Sequence, residues 1–342
     1  VVLFCAGWLD DSTVYDGVCS KVFWVNGKKG IVIGINAAIT LGILLALEVF
    51  SRIMLSHIYN RDFDSKLIVD NKYFDSPGLI ENGSGKVWGK TFHTDSCACR
   101  RSSKSYVPGK KKWLFIGDSV TEGVGVEDSA TFSSLFFEHE DSLNVLNYSL
   151  IGYSDADYFN VLKARLATDS TIKRVTIFFC LNDVYGKSGS KNLPVMARQN
   201  LVGQINAFLQ MHYATYKLLK LFLYQHSNRY FQYDLQFYKP DDLCFNDAMA
   251  ILQQCDSFCR NNGADLNVIM LPYKSQLHGK DAGNRIPQNL VGKFCKMHEI
   301  SFADPADYLT KRQDAGALYL FGDEIHFSAA GHRAMADYIL SQ

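Results

Sequence analysis

The sequence predicts an α/β protein: a three-layer α/β/α sandwich around a parallel sheet, preceded by an N-terminal transmembrane helix. Two patterns carry this expectation. From residue 112 onward, short apolar runs alternate with helical stretches, the signature of parallel crossover units. Upstream, "GIVIGINAAITLGILLALEVF" (30–50) is the longest apolar run and contains one charge, Glu48. About 20 residues at 1.5 Å each span a bilayer core.

The elements follow in order. "WLFIG" (113–117) reads as a buried strand and "TFSSLFFEHE" (131–140) as a helix. "LNVLNYS" (143–149) is a second strand and "DADYFNVLKARLA" (155–167) a second helix. "RVTIFFCL" (174–181), "LNVIMLP" (266–272) and "EISFADP" (299–305) are further strands, and "SAAGHRAMADYILSQ" (328–342) is a closing helix. Continuous apolar strands fit a sheet covered on both faces. Residues 1–29 form an N-terminal segment, 30–50 the span and 51–111 an irregular connector lying over the domain. The domain proper is 112–342, interrupted by a helical insertion over about 187–235. The stretch "LVGQINAFLQMHYATYKLLKLFLY" in that insertion reads as a cap or packing helix, with a membrane-surface helix as the alternative. "DDLCFNDAMAILQQCDSFCRNNG" reads as the regular crossover helix, ended by Gly263.

Composition narrows the function classes. Lys and Arg number 35 and Asp and Glu number 35, so no basic excess points to nucleic acid. The nine cysteines include Cys97 and Cys99 as C-x-C, and Cys255 and Cys259 one helical turn apart. No second Cys/His pair completes a zinc set, although His93 lies near Cys97 and Cys99. Neither a metal nor a cofactor is expected. Lys28 and Lys29 before the span favour a cytoplasmic N-terminal side, which places the rest in the periplasm, a lumen or outside the cell.

Ligands of open parallel sheets bind beyond the carboxyl ends of the strands. The first strand ends at Gly117-Asp118-Ser119. The second leads to Gly152, the third to Asn182 and Asp183, and the last to "FGDEIHFSAAGH" with Asp323 and His326. This set suits acyl transfer. A serine hydroxyl is a weak nucleophile that needs an adjacent base. His326 is the expected base, and Asp323 holds its tautomer. The backbone N–H groups of Ser119 and Gly152, with the Asn182 amide, are the expected oxyanion donors. Asp118 and Asp183 are supporting residues, and His332 is left to packing or the surface. Tyr273 and Lys274, after the fourth strand, are expected nearest the cleft. The glycines of "GDSVTEGVGV" match neither a P-loop nor a dinucleotide fingerprint. Gly117 fits the first glycine of a G-x-S-x-G elbow, but Thr121 stands where the second belongs.

"FIGDSVTEG", "NYSLIGYS", "CLNDV" and "DEIHFSAAGH", in that order, resemble the four blocks of the SGNH/GDSL hydrolases. The resemblance covers about residues 112–342 apart from the helical insertion. It implies a flavodoxin-like sheet, a Ser119–His326–Asp323 centre, and an oxyanion hole of Ser119, Gly152 and Asn182. One departure is Cys180, where the third block often has Gly. An acyl-ester substrate follows, and membrane-anchored members often act on O-acyl, such as acetyl, groups of a glycan or envelope polymer. Two alternatives stay open: an O-acyltransferase using the same site, and a non-catalytic glycan-binding or structural subunit tethered to the membrane. A membrane-protein partner is compatible with either.

Overall fold

The structure is a computed structural model that describes residues 12–186, 201–224, 228–312 and 315–342. Parts of the N-terminal segment (1–11) and of the helical insertion (187–200 and 225–227) lie outside the described residues.

Helix α1 runs from Ser12 to Ile58, through the expected span and beyond it at both ends. No proline interrupts it. Its Gly30–Ile58 portion is long and apolar enough to cross a membrane. Ile33 and Leu41 stand 68% and 59% exposed, so the first part of this portion packs against none of the described residues, whereas its end, with Ser51 and Leu55 buried, packs against the rest of the chain.

The connector differs from its expectation. It holds two antiparallel hairpins, β1 (Ile68–Tyr73) with β2 (Ser76–Leu79), and β3 (Ser84–Val87) with β4 (Lys90–His93). Their turns lack the usual signal. Two-residue hairpin turns with both φ positive favour Asn-Gly. Here Trp88 and Gly89 adopt φ of 50° and 77°. Leu67, Tyr73, Leu79, Val87 and Phe92 from this region sink into the same core as the sheet.

The sheet is formed by β5 (Lys112–Gly117), β6 (Asn144–Asn147), β7 (Ile172–Phe179), β8 (Asp265–Met270) and β9 (Ser301–Ala303). All neighbours are parallel and the order is β6-β5-β7-β8-β9. This is the flavodoxin-like 2-1-3-4-5 order, whose switch point lies between β5 and β7. The right-handed crossovers that parallel connections favour put α2 (Phe132–His139) and α3 (Asp155–Leu166) on opposite faces, where they pack against different helices. The insertion contributes α4 (Leu201–His212), α5 (Ala214–Tyr224) and α6 (Arg229–Leu235). Then α7 (Leu243–Asn261) packs beside α3, α8 (Ile286–Met297) precedes β9, and α9 (Ala329–Leu340) packs beside α2. Thr131 caps α2 through Ser134 N, and Ser328 caps α9 through Gly331 N, each satisfying an orphan helix donor. Between the sheet and α2, Phe178 lies 4.8 Å from Phe115 and 4.7 Å from Phe132, ring to ring.

Candidate active site

Strand β5 stops at Gly117 because the chain must turn sharply there. A Cβ at Gly117 would lie 3.0 Å from the Phe178 carbonyl and closer still to the Thr121 hydroxyl. Asp118 then caps a one-turn helix, Ser119–Glu122, by accepting from Val120 N at 2.9 Å. A single turn carries little macrodipole, so the contribution here is local N–H groups rather than a long helix.

Ser119 Oγ lies 2.9 Å from His326 Nε2. His326 Nδ1 lies 2.9 Å from Asp323 Oδ2. Asp323 Oδ1 accepts from the backbone N–H groups of Ile325 at 2.7 Å and His326 at 2.9 Å. Three residues separated by up to 207 positions therefore form one hydrogen-bonded line. Burial alone would raise the Asp323 carboxyl. The His326 charge and hydrogen bond, with Arg61 and the backbone donors, outweigh burial and hold it well below the usual carboxylate range.

Arg61 is a participant that the sequence reading missed. Its Nη2 donates to Asp323 Oδ2 at 2.6 Å, the same oxygen that faces the imidazole. The guanidinium lies over the Trp88 ring, 3.7 Å from its centroid. Trp88 in turn meets His326 edge-on, with centroids 4.5 Å apart. A bulky residue at positive φ is strained, and such strain persists where the surroundings hold it. Trp88 is held between Arg61 and the imidazole.

The three expected oxyanion donors lie on separate loops. Gly152 has φ of 84°. Nothing stands within 4 Å of a Cβ built there, so backbone conformation rather than crowding requires glycine. Asn182 sits in a short 3-10 turn, Leu181–Tyr185, at the end of β7. The Cys180 thiol and the Asn182 amide both hydrogen-bond Asp118. An amide has two N–H groups, so one remains for a substrate oxygen. Ser119 and Asn182 thus flank the β5/β7 switch point. Asp183 does not touch the triad. It accepts from Cys180 N at 2.6 Å and Tyr158 Oη at 2.7 Å, and so fixes the turn that presents Asn182. Burial pushes its carboxyl well above the ordinary range.

Tyr273 corrects another expectation. It is fully buried and does not line a cleft. Its hydroxyl donates to Asp234 at 2.6 Å and lies 3.4 Å from Asn182 Oδ1. Asp234 belongs to α6, so the insertion reaches the Asn182 amide through Tyr273. Lys274 is also buried, and its backbone N–H donates to the Glu324 carbonyl.

Two buried titratable side chains, Arg100 and Glu122, complete the surroundings. Arg100 donates to the carbonyls of Glu122, Gly123 and Val126 and to Asp128, pinning the Gly-rich segment after Ser119. Glu122 accepts from Ile151 N at 2.8 Å, next to Gly152. Burial, the largest cause, pushes the Glu122 carboxyl up to about 8. His332 is a packing residue: its Nδ1 accepts from Phe132 N, and burial drives it down to about 3.

His93 pairs with Asp128, whereas Cys99 contacts Asp95 and Tyr106. Among the described residues no group of three His, Cys, Asp or Glu is arranged to hold a metal. A groove of about 800 Å³ opens at the opposite edge of the sheet, lined by Trp113, Arg174, Asp265 and Ser301, and holds none of the triad.

No protein-family model and no curated protein matches the sequence. Similar solved structures include LAE5, an alpha/beta hydrolase enzyme from the metagenome of Lake Arreo. It shows 16% identity over 69% of this chain and 95% of its own, with a TM-score of 0.43. A member of the lipolytic protein G-D-S-L family from Veillonella parvula shows 16% identity over 68% and 97%, at 0.40. Axe2, an acetylxylan esterase from Geobacillus stearothermophilus, shows 17% over 68% and 93%, also at 0.40.

Proposed function

We propose that the chain is a membrane-anchored serine esterase of the SGNH/GDSL type. The observation that carries this reading is the line Ser119–His326–Asp323, with both hydrogen bonds at 2.9 Å, at the carboxyl edge of a parallel sheet. The four sequence blocks support it, since each contributes a residue to that edge.

The chemistry follows from the geometry. Ser119 Oγ attacks the ester carbonyl carbon while His326 Nε2 takes its proton. Asp323 stabilises the imidazolium so formed. The carbonyl oxygen becomes an oxyanion and accepts from Ser119 N, Gly152 N and the free Asn182 N–H. The C–O bond to the alcohol breaks, and His326 returns the proton to that leaving oxygen. Water then attacks the acyl-serine carbonyl: His326 Nε2 takes a water proton and delivers it to Ser119 Oγ as the acyl–Oγ bond breaks, releasing the carboxylic acid and restoring the serine. Each oxyanion donor contributes about 3 kcal/mol to the barrier reduction. The substrate class is an acyl ester, with O-acylated carbohydrate of the cell envelope as the form the family resemblance favours. Helix α1 is the anchor, and the catalytic domain stands on the extracytoplasmic side.

A fluorophosphonate probe tests the reading. Wild-type protein is labelled, and Ser119→Ala is not. Mass spectrometry of the acyl-serine trapped from an ester panel names the acyl group. An unlabelled, folded wild type overturns the esterase reading. Protease accessibility in sealed vesicles tests the side on which the domain lies.

A further inference from the structure

Helices α4 and α5 form a hairpin whose polarity is inside out. Between them, Asn206 Oδ1 accepts from Tyr216 Oη at 2.9 Å and Lys220 Nζ at 2.8 Å. Outside, Leu201, Ile205, Phe208 and Met211 of α4, and Leu219 and Leu223 of α5, are each half or more exposed. A water-facing cap turns its polar side outward; contiguous exposed apolar surface marks an interaction site. Polar groups satisfied internally and apolar groups outward is the arrangement a bilayer requires.

A second observation fixes where the hairpin stands. Its tip is joined to α1 at Glu48, the single charge in the apolar run. Glu48 accepts from Ala214 N at 2.8 Å and Thr215 N at 3.0 Å, and pairs with Arg52 at 2.9 Å. Arg52 also donates to the His212 carbonyl. From there α5 runs beside α1, and Lys217 reaches the Tyr59 ring. Its far end meets the catalytic loop, where the rings of Phe222 and Phe321 lie 5.1 Å apart.

Lengths agree with this placement. Along a continuous helix, Lys29 and His57 lie about 42 Å apart, close to the roughly 40–45 Å of a bilayer with its headgroups. Glu48 then lies about 14 Å inside the surface marked by His57, too deep for an unpaired carboxylate. The hairpin tip supplies its donors. The outward apolar surface continues onto α1 through Val49, Phe50 and Ile53, all exposed. It wraps around the helices, as lipid contact does, rather than presenting one flat face to a protein.

We propose that the α4–α5 hairpin is seated in the outer leaflet beside α1, with the lipid bilayer as its partner. The triad then opens at the membrane surface, because Arg61, just past the end of α1, is bonded to Asp323. An ester presented in the bilayer reaches Ser119 without leaving it. The proposal rests on α1 crossing the membrane and on the esterase reading for its last step.

The test uses the full chain in phosphatidylcholine/phosphatidylglycerol nanodiscs, with a photoreactive benzophenone residue at Phe208, Leu219, Leu41 or Met297 in turn. Phospholipid adducts are expected from positions 208, 219 and 41, and none from the exposed Met297 on α8. Adducts from 41 alone overturn the hairpin placement while leaving the anchor intact. Protein adducts from 208 and 219 overturn it in favour of a docked protein. Absence of lipid adducts from all positions overturns anchor and hairpin together. A second measurement pairs Phe208→Gln with Leu219→Gln. Turnover of a short soluble ester is expected to stay unchanged, while that of an ester in the same bilayer falls about tenfold. Equal losses on both substrates overturn the proposal, and fluorophosphonate labelling of Ser119 reports the esterase reading separately.

Discussion

Replacing Asp323 by Asn keeps the side-chain volume but changes what the imidazole faces. Oδ1 accepts from two backbone N–H groups, so the amide oxygen stays there and the amide nitrogen turns toward His326 Nδ1. That Nδ1 must then accept, which puts the proton on Nε2 and blocks removal of the Ser119 proton. Asp323→Asn is expected to lower kcat by about 10⁴ with the fold retained, read from ester turnover alongside the melting curve. Glu122 gives a different residue-scale prediction. Its carboxyl moves from an ordinary 4.5 to about 8 on folding. The folded state therefore binds the proton more tightly, and the contribution to stability is full below pH 4.5 and lost as pH rises through 8. The span corresponds to at most about 5 kcal/mol. Glu122→Gln keeps the acceptor for Ile151 N and removes the titration. Its melting temperature relative to wild type should rise steadily between pH 5 and 8.5; a constant difference counts against a buried, neutral Glu122.

At the scale of elements, two glycines beside the site fail on substitution for opposite reasons. Gly117→Ala meets the Phe178 carbonyl and Thr121, so β5 and the turn must shift. Gly152→Ala meets nothing but must hold φ of 84°. Its loss is expected to be about 1–2 kcal/mol in denaturant midpoint, with a fall in kcat as the Gly152 N–H re-aims. A loss at position 152 as large as that at 117 would show crowding instead. The five strands were legible because each is a short run rich in apolar residues bounded by polar loops, continuous in "WLFIG" and broken by polar residues in "LNVLNYS" and "EISFADP". The strand order was not read residue by residue, since nothing in β6 or β9 names its neighbour. The family resemblance supplied that order. The connector hairpins were illegible for a local reason. Their strands interleave Asp, Asn and Lys with few apolar residues, and Phe74 and Trp88 stand in turns at positive φ. Tertiary packing overrides local preference there.

For the whole molecule, Ser119, Gly152 and Asn182 were readable because each sits in a short loop soon after a strand, and Asp323 and His326 because they fall in one short polar block before the closing helix. Arg61, Trp88 and Arg100 were not, because no periodicity marks a residue that acts by reaching back from a connector. Their placement bears on where the folding unit begins. A division at residue 112 leaves Leu67, Tyr73, Leu79, Val87 and Phe92 outside, although all are buried in the core shared with the sheet. It also removes Arg100, whose backbone N–H pairs with the Asn147 carbonyl at the end of β6, and Ser76, which donates to Asp157 of α3 at 2.6 Å. Deleting five large apolar side chains from a core forfeits about 10 kcal/mol, the size of a whole domain's stability. We therefore expect a fragment of residues 112–342 to lack a cooperative melting transition and any fluorophosphonate labelling. A fragment of residues 59–342, carried in detergent to cover the hairpin, keeps Arg61, Trp88 and Arg100 and is expected to be labelled at Ser119. Labelling of the shorter fragment at the rate of the longer one would mean that the connector lies on the domain without belonging to its core.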